Sequence, residues 1–81
     1  MTVRVLFFAT LADITGTLDT CVDELLGPDI ASVFASFARL HPELEAHRPS
    51  MKCALNSEFA DPGSRVHDGD EVAFFPPVSG G

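Results

Sequence analysis

Residues 67–81 read His67-Asp68-Gly69-Asp70-Glu71-Val72-Ala73-Phe74-Phe75-Pro76-Pro77-Val78-Ser79-Gly80-Gly81. Asp68-Gly69 tolerates positive φ and is bounded by apolar residues, so residues 67–70 are predicted to turn. Glu71 to Phe75 then reads as a strand, with Val72 and Phe74 on one face and Ala73 and Phe75 on the other. Pro76-Pro77 must end ladder pairing, because proline has no N–H to donate. The pair also makes a stiff, extended exit. Glycine has no side chain, so Gly80-Gly81 can enter a channel that admits little more than backbone. From Pro76 onward the six residues reach at most about 20 Å, at roughly 3.3 Å each. Residues 1–75 are therefore read as the folded domain and 76–81 as an extended tail that carries a carboxylate away from it.

Upstream, Val3-Arg4-Val5-Leu6-Phe7-Phe8-Ala9 is rich in β-branched and aromatic residues and is predicted as the first strand. Val3, Val5, Phe7 and Ala9 fall on one face, and Arg4, Leu6 and Phe8 on the other. Leu11 to Gly16 allows one or two helical turns with Gly16 as the stop. Thr17 to Val22 is a second, weaker strand. Asp29 is a plausible N-cap for a helix running to Leu40, in which Ile30, Val33, Phe34, Phe37 and Leu40 form one apolar stripe that Pro42 ends. Met51 to Asn56 alternates, with Met51, Cys53 and Leu55 together, and a short strand is expected around Phe59. The order strand, strand, helix, strand, short strand, strand suits an α+β fold: a mixed sheet with one main helix packed on one face. The commonest small form of that arrangement is the β-grasp.

Composition narrows the possible functions. With 81 residues and 8.7 kDa there is room for one small domain. Such a domain buries roughly 60–65% of its unfolded surface, leaving little for both a core and a deep pocket. A carrier, a binding module or one subunit of an enzyme fits this size better than a self-sufficient enzyme. Five basic and twelve acidic residues give a formal charge of −7. That balance argues against nucleic acid and against an anionic membrane surface as partners. Apolar residues make up 46%, too many for a disordered acidic tail. Cys21 and Cys53 make no disulfide framework. Val3 to Leu11 is too short and too charged for a membrane span or a secretory signal, so a cytoplasmic protein with reduced thiols is expected.

The tail suggests a chemistry. A bare carboxylate is a poor electrophile and needs a leaving group such as AMP from ATP. Once adenylated it can accept sulfur to become a thiocarboxylate, or be captured by an amine or thiol, and diglycine leaves the carbonyl uncrowded for either course. At this point residues 68–81 resemble the C-terminus of the small subunit of molybdopterin synthase, the MoaD family. Val3 to Ala9 is similar to its first strand, Ala54-Leu55-Asn56 followed by Glu58 to its middle strand and turn, and His41-Pro42-Glu43-Leu44 to the segment after its helix. The resemblance implies a ubiquitin-like β-grasp. It implies a non-catalytic sulfur-donor subunit whose Gly81, preceded by Gly80, is adenylated by an ATP-using partner enzyme and converted to a thiocarboxylate. The tail, with Pro76, Pro77 and Val78, would enter the large synthase subunit of a heterotetramer. There its sulfur would pass to cyclic pyranopterin monophosphate and build the molybdopterin dithiolene. No cofactor or metal is expected on this chain itself. The family often carries an Arg between Ala9 and Gly16, where this chain has Ala12. Three other readings of the tail stay open: a carrier serving thiamine or another thiolated product, a ubiquitin-like modifier joined to lysines of other proteins, and a plain β-grasp binding module whose tail is inert.

Strand alternation adds an independent expectation. If Val5, Phe7, Val72 and Phe74 face the helix, then Leu6, Phe8, Ala73 and Phe75 face away, and Phe59 joins them. A sheet face this apolar marks a protein partner, with aromatic anchors at its centre. Other signals are weak. His41, His47 and His67 lack metal-ligand spacing, and no nucleophilic triad or Gly-rich phosphate loop can be drawn. Cys53 is expected to be a buried small hydrophobe and Cys21 to be partly exposed. Glu43, Glu45, Asp68, Asp70 and Glu71 are read as a solvated surface.

Overall fold

A computed structural model describes residues 2–76. Strand β1 is Val3–Phe7, helix α1 Thr10–Thr15, β2 Asp19–Val22, α2 Ile30–Ala38, β3 Lys52–Leu55, β4 Glu58–Ala60 and β5 Glu71–Phe75, with a 3-10 helix over Pro42–His47 before β3. The strands form one sheet in the order β2-β1-β5-β3-β4. β1 and β5 run parallel at its centre, and the other pairs are antiparallel. This is the mixed sheet with one main helix anticipated above, and it has the β-grasp topology.

Alternation decides what the sheet buries. Val3, Val5 and Phe7 of β1 and Val72 and Phe74 of β5 are fully buried against α2, which contributes Ile30, Val33, Phe34 and Ala38. Phe74 ties the two layers together: its ring stacks on Phe7 at 5.8 Å and meets Phe34 edge-on at 5.6 Å. Full burial of such a side chain contributes roughly 1.5–3 kcal/mol.

The helix entry is strongly specified. The Asp29 carboxylate accepts from the Ser32 N–H at 2.9 Å and from its hydroxyl at 2.7 Å, which holds the Asp29 carboxyl below the usual range. The loop at residues 61–66 accepts the next free amides: Ile30 N–H donates to the Ser64 carbonyl and Ala31 N–H to that of Pro62. The same loop inserts Val66 into the core.

Several boundaries differ from expectation. β1 ends at Phe7 because Ala9 has φ 53 and ψ −129, which turns the chain into α1 and leaves Ala9 exposed, off the buried face of Val3, Val5 and Phe7. β2 starts at Asp19, where the Thr17 hydroxyl bonds the Asp19 carbonyl at 3.0 Å. α2 stops at Ala38 rather than Leu40. The amides of Leu40 and His41 both donate to the Phe37 carbonyl, so the last turn tightens and swings Leu40 out to 75% exposure. Ala38 takes its place in the core. Pro42 opens the 3-10 helix, which the periodicity did not announce and which supplies the fully buried Leu44. The turn before β5 forms as predicted, with Gly69 at φ 86 and the Asp70 N–H bonded to the His67 carbonyl.

Candidate functional site: the outer face of the sheet

The residues that alternate away from α2 form a second surface. Across the sheet, Leu6 pairs with Ala73, Ala73 with Ala54, and Ala54 with Phe59. These small and apolar side chains give a flat floor in which Ala54 is only 8% exposed although it lies outside the main core. Over it runs an aromatic row. The Phe75 ring sits edge-on to Phe8 at 6.2 Å and to Phe59 at 5.6 Å. Phe8 remains 46% exposed and Phe59 78%. Pairs of this geometry add about 0.5–1.5 kcal/mol beyond their burial, so the row holds its shape without a cover.

The structure therefore brings Leu6, Phe8, Phe59, Ala73 and Phe75 onto one surface, and half-buried Pro76 leaves it at the end of β5. Pro77, Val78, Gly80 and Gly81 lie outside the described residues. Lys52 and Ala54 of the same face were not singled out from the sequence. The signal was present, because placing Cys53 and Leu55 inward sends Lys52 and Ala54 outward.

At the far end the face becomes polar. The Arg4 guanidinium donates from Nε to Asp19 Oδ1 at 3.0 Å and reaches Glu71 Oε2 at 3.4 Å. The hydrogen bond from Arg4 holds the Asp19 carboxyl below its ordinary range. Cys21, in register with Arg4, is exposed. Cys53 is buried, and that burial, then the charge of Asp61, raises its thiol pKa. Ala12 on α1 is half-buried against the core, so no charged side chain stands at that position. Among the described residues no group of three or more His, Cys, Asp or Glu side chains could hold a metal ion, and no helix is long and apolar enough to cross a membrane.

Asp70 departs from the solvated role expected of it. Its carboxylate accepts from the His67 N–H at 2.7 Å and from Asn56 Nδ2 at 3.1 Å, while Asn56 Oδ1 accepts from the Glu71 N–H at 2.9 Å. These bonds tie the β3–β4 turn to the start of β5 and hold the Asp70 carboxyl below its usual range, the Asn56 bond being the largest cause.

Residues 5–81 match the model of the ThiS family. The chain is 32% identical over 83 residues to the molybdopterin synthase sulfur carrier subunit of Chlamydomonas reinhardtii, covering 100% of both. Its fold is similar to that of small archaeal modifier protein 1 from Haloferax volcanii, with a TM-score of 0.82, 30% identity and 100% of both chains covered. It is also similar in fold, at a TM-score of 0.68 and 23% identity over 100% of both chains, to a chain of the complex of subunits 1 and 2 of molybdopterin-converting factor from Helicobacter pylori.

Proposed function

Because the chain belongs to the ThiS/MoaD family of sulfur carriers, we propose that it is the sulfur-carrier subunit of a molybdopterin synthase. The observation that carries this reading is the aromatic row of Phe8, Phe75 and Phe59, open to solvent beside the point where the chain leaves β5. A docking face there would bring a large subunit to the base of the tail. The tail would then span at most about 20 Å into that subunit.

The chemistry rests on the last residue. A separate adenylating enzyme joins the Gly81 carboxylate to the α-phosphate of ATP and releases pyrophosphate. A sulfur nucleophile then attacks the acyl carbon, AMP leaves, and Gly81 ends as a thiocarboxylate. In the large subunit that sulfur adds to cyclic pyranopterin monophosphate, and hydrolysis returns the carboxylate. The large subunit supplies the substrate pocket and the proton-transfer groups, and this chain supplies sulfur and position. A misplacement of an ångström at the tail would cost on the order of a hundredfold in rate. The work is expected in the cytoplasm, as a heterotetramer.

The test is reconstitution. Chain whose intact mass shows one oxygen exchanged for sulfur, mixed with the large subunit and the pterin substrate, should yield dithiolene in proportion to the sulfur supplied. No product with a competent large subunit would reject the reading. A second reading, a modifier of protein lysines, is favoured by the 30% identity and full coverage shared with small archaeal modifier protein 1. Adducts on lysines of other proteins after adenylation without a sulfur source would support it.

A further inference from the structure

The sequence contains a single lysine, Lys52. β3 buries Cys53 and turns Lys52 to the outer face, where it is exposed and stands directly opposite Phe75 in the sheet. Lys52, Phe59, Asp61 and Phe75 line one open groove of about 680 Å³. The other cation of this face, Arg4, already has Asp19 and Glu71. Among the described residues no carboxylate lies within 4.0 Å of the Lys52 ammonium, that of Asp61 included.

A surface that covers the aromatic row also covers Lys52. Apolar cover would strip water from the ammonium and return nothing, an outcome that costs far more than leaving a charge at the rim. The chain carries −7 overall, so a partner complementary to the whole molecule is basic; against Lys52 the complementary sign is reversed. One local reversal of sign is what fixes register on a face whose rings and alanines would otherwise tolerate sliding. We propose that the large synthase subunit presents an Asp or Glu carboxylate to Lys52, and that this ion pair sets the register of docking. The inference rests on the function proposed above and names the chemistry of the surface that meets the groove.

Carbodiimide coupling of the complex with the large subunit tests it. The reagent activates a carboxylate, takes up its oxygen as the urea, and leaves an amide to an amine in direct contact. One crosslink from Lys52 to a large-subunit Asp or Glu is expected, located by fragment masses. Lys52→Arg should bind within about threefold and lose the crosslink. Lys52→Met should weaken binding about tenfold and Lys52→Glu about a hundredfold or more. Converting the crosslinked acid to Lys should restore binding to Lys52→Glu. The ion pair is rejected if Lys52→Glu binds like the unaltered chain while Phe8→Asp does not bind, or if a stable complex gives no Lys52 crosslink. If Phe8→Asp also binds normally, the docking reading itself fails. Lys52 is exposed, so urea unfolding of each Lys52 variant should match the parent and exclude misfolding.

Discussion

Phe74 and Phe75 are adjacent on β5 and serve opposite sides of the sheet: Phe74 is fully buried between Phe7 and Phe34, while Phe75 joins the aromatic row on the open face. The two substitutions should separate stability from assembly. Phe74→Ala should cost about 3–5 kcal/mol, a large part of the stability of a domain of this size. Phe75→Asp should cost about 2–3 kcal/mol, through its two edge-on pairs with Phe8 and Phe59 and lost strand propensity, yet leave the chain folded and abolish stable complex with a large synthase subunit. Phe8→Asp, just beyond β1, should do the same at smaller cost. Urea unfolding and a sizing column read the two effects. Intact complex with both Asp variants would remove the outer face from the function.

Backbone strain at Ala9 gives a second expectation. With φ 53 and ψ −129, Ala9 occupies a region that suits glycine. Ala9→Gly should therefore raise stability by about 1 kcal/mol, the relief of strain exceeding the added freedom of the unfolded chain. Gly16 gives the converse. It closes α1 at φ 76 with its N–H on the Ala12 carbonyl, and a Cβ there would meet nothing within 4 Å. Gly16→Ala should cost about 1 kcal/mol from backbone conformation alone. Shifts in urea midpoint at unchanged slope check both.

Asp29 and Asp70 contribute, with Asp19, to the acid limb of stability. Hydrogen bonds hold all three carboxyls below the ordinary value of 3.8 in the folded chain. A group depressed on folding contributes its full stability above its unfolded pKa and loses it as pH falls through the folded one. The urea midpoint should thus be flat above about pH 5 and decline below about pH 4. Asp29→Asn and Asp70→Asn should lower the midpoint at pH 7, flatten the acid decline, and approach the parent once acid has protonated the folded carboxyls. A parallel offset at every pH would mean that the carboxylate charge is not what stabilises these turns.

What the sequence disclosed follows from how local each cause is. Glu71–Phe75 was legible to the residue, because an Asp-Gly turn and two prolines bound it on either side. The division of Phe74 from Phe75 followed from strand period alone. The end of α2 was not legible: Leu40 keeps the apolar spacing, but a tightened turn sets its direction, and that depends on how the chain enters Pro42. Ala9 is similar: its side chain suits a strand, while the fold demands a turn there. The Val66 N–H donates to the Pro28 carbonyl and the amides of Ile30 and Ala31 to those of Ser64 and Pro62, contacts distant in sequence that no local pattern carries. Asp70 looked like a surface acid because its partner Asn56 lies 14 residues away.

Docking and chemistry occupy different parts of the proposed carrier, and removing Gly81 should split them. The aromatic row and Lys52 lie within residues 2–76 and are untouched by the deletion. The shortened chain should fold with an unchanged urea midpoint and bind the large subunit within a few-fold of the parent. It should accept no sulfur, because the acyl carbon now available ends one residue, roughly 3.3 Å, short of the position the partner reads. It should also compete with thiocarboxylated chain for the large subunit, so that dithiolene formation falls as the shortened chain is added and recovers with excess carrier. Inhibition that excess carrier cannot relieve would mean that the two forms do not share a docking face. Sulfur transfer at the parent rate from the shortened chain would show that Gly81 is not the donor.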